Sequence, residues 1–184
     1  MLAATSDCVP GKVYTNLRTH DRFSERAKEA SAELIVFPEL SDTGYEMAAV
    51  RRTAQPWTEG AVPRLCAIAK RLSLAILCGV SERVAGSIYN SQVLINASGE
   101  IAGSYRKCHL FRAGRFDEGT TLTEGDSLAH FNLVLFRLFL PFCYALRFPV
   151  FFPFLSPYPP FNLFFFSFAL PFPPPVPPRS LPPS

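Results

Sequence analysis

Glu33-Leu34-Ile35-Val36-Phe37-Pro38-Glu39-Leu40 is the stretch on which the fold of this 184-residue chain turns. Leu34 to Phe37 are four consecutive apolar residues, rich in β-branched and aromatic side chains, and they read as a buried strand. Pro38 has no N–H to give to a ladder, so the strand ends there. Glu39 is thereby placed at a strand's carboxyl end, the edge of an α/β sheet where ligands bind. An acidic side chain there is a candidate general base.

Outward from this strand the chain reads as a layered α/β protein. Residues 2 to 6 form a short first strand and Asp7-Cys8-Val9-Pro10-Gly11 a turn. Val13, Leu17, Phe23, Ala27 and Ala30 then lay a helical stripe over about 12 to 31. Thr43-Gly44-Tyr45 makes a loop beside Glu39, and the polar stretch to Gly60 is loop or short helix. Leu65, Ile68, Ala69 and Leu72 give a second helix over Val62 to Leu72, followed by an apolar strand over Leu74 to Val80. Residues 88–96 and 100–106 flank Ala97-Ser98-Gly99 and pair as a hairpin. Lys107 follows the second hairpin strand directly, and a polar, Gly-rich loop from 112 to 126 carries Glu118.

The composition divides the chain near residue 130. Residues 1–130 hold 15 basic and 15 acidic residues, as an ordinary globular domain does. Residues 131–184 hold 14 of the 18 Phe and 14 of the 18 Pro, no Asp, Glu or Lys, and Arg only at 137, 147 and 179. The net charge of +3 therefore belongs to the tail, and no basic patch argues for nucleic acid. Cysteines 8, 66, 78, 108 and 143 form no CxxC pair and the histidines at 20, 109 and 130 are scattered, which signals neither a metal site nor a disulfide framework. Reduced thiols and the lack of a basic, then apolar, leader after Met1 point to a cytoplasmic protein. The apolar span 138–170 is broken by Arg147 and by five prolines between 141 and 159, which argues against a membrane segment.

Three motifs in order carry a family likeness: Phe37-Pro38-Glu39-Leu40 with Thr43-Gly44-Tyr45, Tyr89-Asn90-Ser91, and Tyr105-Arg106-Lys107-Cys108-His109-Leu110-Phe111. Together they resemble the nitrilase (carbon–nitrogen hydrolase) superfamily over about residues 2–130. The resemblance implies an α-β-β-α sandwich, of which this chain has the front half, and a Glu-Lys-Cys triad. Glu39 is then the general base, Lys107 the cationic stabiliser, Glu118 the supporting second glutamate, and Tyr45 a substrate-binding residue. The counterpart of the nucleophile segment is Pro141-Phe142-Cys143-Tyr144-Ala145-Leu146-Arg147-Phe148-Pro149-Val150, with Cys143 as the nucleophile. Ala145 and Val150 stand where the family carries Asp and Glu, and Phe139 and Pro141 where it favours glycine, a residue that in a strand marks close backbone approach.

The activity so implied is hydrolysis of a non-peptide carbon–nitrogen bond in a small amide, nitrile or carbamoyl compound, with water as second substrate and no metal or organic cofactor, and the departures around Cys143 lead to the expectation that it is impaired in this chain. A free thiol is only a few per cent thiolate at pH 7, so a neighbouring base and cation are what the chemistry requires. Family members continue well past the cysteine and are usually homo-oligomeric. This chain instead runs into Phe151-Phe152-Pro153-Phe154 and Pro173-Pro174-Pro175, whose proline density excludes central strands. The expected organisation is a partial α/β domain over 1–130, a degenerate nucleophile segment over 131–150, and a low-complexity, irregular Phe/Pro-rich tail over 151–184, as in a truncated or aberrant family member. The rival readings are a catalytically dead fragment, or an interaction protein whose Pro174-Pro175-Val176-Pro177-Pro178-Arg179 presents a polyproline ligand.

Overall fold

A computed structural model describes residues 2–3, 8–114, 116–126, 130–133, 136–139 and 162–164. In chain order the elements are β1 (Leu2–Ala3), α1 (Val13–Glu29), β2 (Leu34–Val36), α2 (Met47–Thr53), α3 (Ala61–Leu72), β3 (Ala75–Val84), β4 (Ser87–Ile95), β5 (Ile101–Arg106), β6 (Arg112–Ala113) and β7 (Phe116–Asp117). One 3₁₀ turn, Glu118–Thr120, follows, then β8 (His130–Leu133), β9 (Phe136–Phe139) and β10 (Asn162–Phe164).

The main sheet has the order β1-β2-β3-β4-β5. Its first three strands are parallel, Leu34 to Val36 lying against Ala75 to Leu77, because each is reached through a helical crossover. The next two are antiparallel, because short turns join them. β8, β9 and β10 form a separate three-stranded sheet, in which Asn162–Phe164 is the described part of the Phe/Pro-rich tail.

Helix spacing decides what is buried. In α1, Leu17, His20, Ser24 and Ala27 recur every three or four residues and face inward, and Ser31, at φ 57°, turns the chain out of the helix. In α3, Val62, Leu65, Ile68 and Ala69 do the same, and Pro63 sits in the first turn, where no N–H is needed. Both helices pack on one sheet face against Ile35, Ile76, Cys78, Val80, Val93 and Ile95. Truncating fully buried Leu65 to Ala in such a core costs about 2–5 kcal/mol.

β3 is longer than its apolar run suggests. It continues through Ser81-Glu82-Arg83-Val84 and turns straight into β4, with Val84 opposite Ser87. Ala85 (φ 47°) and Gly86 (φ 89°) form the two-residue turn, whose double positive φ matches the twist of a tight hairpin. Charged residues can stay in this strand because Glu82 is neutralised there: Arg106 on β5 clamps it with Nε and Nη2, each at 2.8 Å, and Ser91 Oγ donates to it at 2.8 Å.

Candidate active site

The carboxyl end of β2 delivers Glu39 as its sequence position predicts. Phe37 N still donates to Leu77 O on β3 at 2.8 Å, after which Pro38 ends the ladder and the chain folds across β3. The crossing is close: a Cβ on Gly79 would lie 2.4 Å from Pro38 O and 2.6 Å from Glu39 Cα. Gly79 is therefore the reason the loop can rest on the strand. Leu40 follows at φ 46°, a left-handed conformation unusual for a branched side chain and of the kind that clusters at functional sites.

A buried polar network holds this loop. Asn16 on α1 accepts from Val9 N at 2.9 Å and donates to Asp42 O at 2.9 Å. His20 Nδ1 lies 2.6 Å from Asn16 O, a pure acceptor, so Nδ1 carries the proton and Nε2 faces Ser41 Oγ at 2.8 Å. Burial lowers His20 to a pKa of about 4 against the opposing bond to Asn16, which keeps the ring neutral. Asp42 is pushed up to about 6 by burial, partly offset by hydrogen bonds from Ser81 and Thr43.

Lys107 enters from the other side of the sheet's end. Its N–H donates to Asn90 O on β4 at 2.8 Å, one step past β5, and its carbonyl accepts from Gly125 N at 2.8 Å. Its Nζ donates to Glu39 Oε1 at 2.8 Å and to Glu118 Oε1 at 3.0 Å, with the Lys107 side chain only 1% exposed. Glu118, wholly buried, is held from both ends. Tyr45 Oη donates to its Oε1 at 2.5 Å and Phe111 N to its Oε2 at 2.5 Å. Burial alone would lower the Lys107 pKa, but the two carboxylates outweigh it and hold the ammonium above its usual range.

Glu39, Lys107, Glu118 and Tyr45 thus converge on one point. The Tyr45 hydroxyl is turned onto Glu118, a contact that its sequence position did not reveal. Cys143 lies outside the described residues. Of the thiols inside them, Cys78 is buried and raised by that burial, its Sγ 3.3 Å from Ser41 Oγ, and Cys66 is raised as well. Sequence reasoning passed over Asn90, whose Nδ2 donates to Glu39 Oε1 at 2.6 Å, and Gly79. Asn90 had a signal in Tyr89-Asn90-Ser91; for Gly79 the one available signal is a glycine inside an apolar strand, which marks close backbone approach. Among the described residues no cluster could hold a metal ion and no helix is long and apolar enough to cross a membrane.

A buried ammonium between two carboxylates, at the carboxyl end of a mixed sheet covered by helices, fits what comparison with other proteins finds. The family model of carbon–nitrogen hydrolases matches residues 4–156, and the chain belongs to that family. It is 31% identical over 140 residues to the 2-oxoglutaramate amidase of Bacillus subtilis, covering 76% of this chain and 53% of that one. It is 29% identical over 132 residues to omega-amidase NIT2 of Homo sapiens, covering 68% and 48%. Among solved structures, an amidase from Nesterenkonia sp. shares the fold with a TM-score of 0.73 at 23% identity, over 81% of this chain and 57% of that one. The chain spans about half the length of the relatives it matches.

Proposed function

We propose that this chain hydrolyses a non-peptide carbon–nitrogen bond of a small amide, with Cys143 as nucleophile, Glu39 as general base and Lys107 as the cation that meets the oxyanion. The observation that carries the reading is the buried contact of Lys107 with both Glu39 and Glu118, made by side chains with almost no exposure. Burying three charges is costly, and such clusters are kept where proton transfer and charge stabilisation need them.

Glu39 takes the proton of the Cys143 thiol and the sulfur adds to the carbonyl carbon. Lys107 stabilises the oxygen that becomes negative. When the C–N bond breaks, Glu39 returns the proton to the departing ammonia and leaves a thioester. Glu39 then deprotonates water, which attacks the thioester, releases the carboxylic acid and restores the thiol. Glu118, fixed by Tyr45 and Phe111, holds Lys107 on station between the carboxylates. The names of the amidase relatives support an ω-amide as the first substrate to try, and an active-site cysteine that adds acrylamide in the Nesterenkonia amidase supports a thiol mechanism.

In this reading residues 1–130 form the site's scaffold, 131–150 the nucleophile segment and 151–184 a low-complexity tail. Cysteines at 8, 66, 78, 108 and 143 with no CxxC pair or disulfide-framework spacing support a reducing, cytosolic setting. The test is ammonia release from a panel of ω-amides, nitriles and carbamoyl compounds by this chain, by Cys143→Ser and by Glu39→Gln. Turnover that both substitutions abolish is expected. Turnover indifferent to Cys143, or none from the parent chain, overturns the reading.

A further inference from the structure

The motif Tyr89-Asn90-Ser91 has no part in the chemistry above, yet strand alternation splits it between two jobs. Tyr89 and Ser91 point to one face of β4, where the Arg106 guanidinium lies 4.2 Å over the Tyr89 ring and Ser91 holds Glu82. Asn90 points to the other face and is wholly buried. It touches the site twice, through its backbone O to Lys107 N at 2.8 Å and through its Nδ2 to Glu39 Oε1 at 2.6 Å.

The amide is held in a way that makes sense only for Glu39. Among the described residues its Oδ1 is buried with no hydrogen-bond partner, an arrangement that is costly. Flipping the amide would not help, since it would set one oxygen against another at Glu39. An apolar side chain of the same shape would avoid the cost. Asn90 therefore keeps one end unsatisfied in order to bring a donor to the carboxylate oxygen that Lys107 also binds.

We propose that Asn90 is the positioning residue of the general base: it locks the Glu39 carboxylate in rotation, and through its backbone it registers Lys107 against that same oxygen. The proposal rests on the reading of Glu39 as base. Loss of the Nδ2 donor frees the carboxylate to rotate away from the oxygen position that Lys107 also binds. A second carboxylate in its place acts further in the same direction.

The test compares Asn90→Ser, the isosteric Asn90→Asp and Glu39→Gln with the parent chain, each checked for folding by circular dichroism and thermal melting. The primary readout is kcat and KM for ω-amide hydrolysis across pH; the second, independent of turnover, is the rate of Cys143 alkylation by iodoacetamide, followed by peptide mass spectrometry. Asn90→Ser is expected to lower kcat about 10- to 100-fold, the range of one hydrogen bond to a charged group, with KM changed less than about threefold. The rate of Cys143 alkylation falls in step with kcat, and both fall further in Asn90→Asp. If Glu39→Gln is inactive while the Asn90 chains keep the parent's profile, or only melt earlier, this proposal is wrong and the base assignment survives. If Glu39→Gln turns over and alkylates like the parent, the base assignment fails and the proposal falls with it.

Discussion

Lys107 and Glu39 stand 68 residues apart in sequence and 2.8 Å apart in space, each fixed by the end of a different strand. The pairing depends on the direction of a single residue. Arg106, the last residue of β5, turns to the helix-covered face to clamp Glu82, so its neighbour Lys107 is turned to the opposite face, toward Glu39 and Glu118. The two cations of Arg106-Lys107 serve separate carboxylates because a strand alternates. A one-residue slip of β5 would exchange their roles and empty the site.

Replacing Lys107 by Met keeps the volume and removes the charge. Glu39 and Glu118 are then left buried around one point with no cation, and breaking a buried ion pair from one side destabilises by about 3–5 kcal/mol. Hydrolysis should fall by at least about 10²–10³-fold, the effect of losing one oxyanion contact. Urea unfolding and ammonia release on the same preparation check both. Unfolding at the parent's urea concentration would show that the pair is not buried in solution.

Gly79→Ala tests whether the crossing of the Glu39 loop over β3 is as tight as its geometry. The added methyl meets backbone atoms of Pro38 and Glu39 rather than a flexible side-chain end, at 2.4 and 2.6 Å, so the loop has to lift. A displacement of about 1 Å at a catalytic group costs roughly 10²-fold in rate. That loss should appear in kcat with secondary structure retained by circular dichroism. Parent-like kcat would mean the loop has room that the structure does not show.

The frame of the molecule could be read from its sequence because its signals are periodic. The stripe through Leu17 and Ala27 became α1, that through Leu65 and Ile68 became α3, and the apolar runs at 34–37 and 74–80 became paired parallel strands. Glu39 is a candidate from its place after an apolar strand, whereas Lys107 and Glu118 are candidates only through the resemblance to the nitrilase superfamily, since a Lys at a strand end or a Glu in a polar loop is ordinarily solvated. The rest of the site depends on contacts between distant residues, which no local pattern reports. Nothing near Gly79 says that a loop 40 residues earlier lies on it, and nothing near Asn90 says that Glu39 is within 2.6 Å. The extension of β3 to Val84 escaped notice for the same reason, since Glu82 is at home in a strand only once Arg106 is opposite.

Tyr45→Phe separates two roles for that residue. Its hydroxyl donates to Glu118 at 2.5 Å, so loss of the oxygen loosens Glu118 and, through it, Lys107. Hydrogen bonds to charged groups contribute about 1.5–3 kcal/mol, and a fall in kcat of roughly tenfold or more with little change in KM is expected. A higher KM with kcat unchanged would instead make Tyr45 a residue that holds the substrate.

The buried pair His20 and Asp42 sets a pH signature that two substitutions can take apart. His20 is held down to about 4 from 6.5, so between these values the unfolded chain binds a proton that the folded chain refuses. Stability is therefore lost as pH falls from 6.5 to 4. Asp42 is raised to about 6 from 3.8, so between these values the folded chain holds a proton that the unfolded chain has released. Its contribution is present at low pH and is lost as pH rises through 6. At about 1.36 kcal/mol per pH unit each effect reaches roughly 3 kcal/mol, and in the parent the two oppose each other over most of the range from pH 4 to 6. Asp42→Asn keeps an acceptor for Ser81 N and Thr43 N but removes the compensation, so acidification from pH 6.5 to 4 should cost it about 3 kcal/mol more than it costs the parent. His20→Gln should differ from the parent in the opposite sense by a similar amount. Urea unfolding of the three chains at both pH values gives these differences directly, since every other titrating group is common to all three. Parallel pH dependence in parent and variants would mean that neither group is buried as the structure has it, and that the network holding the Glu39 loop is open to water.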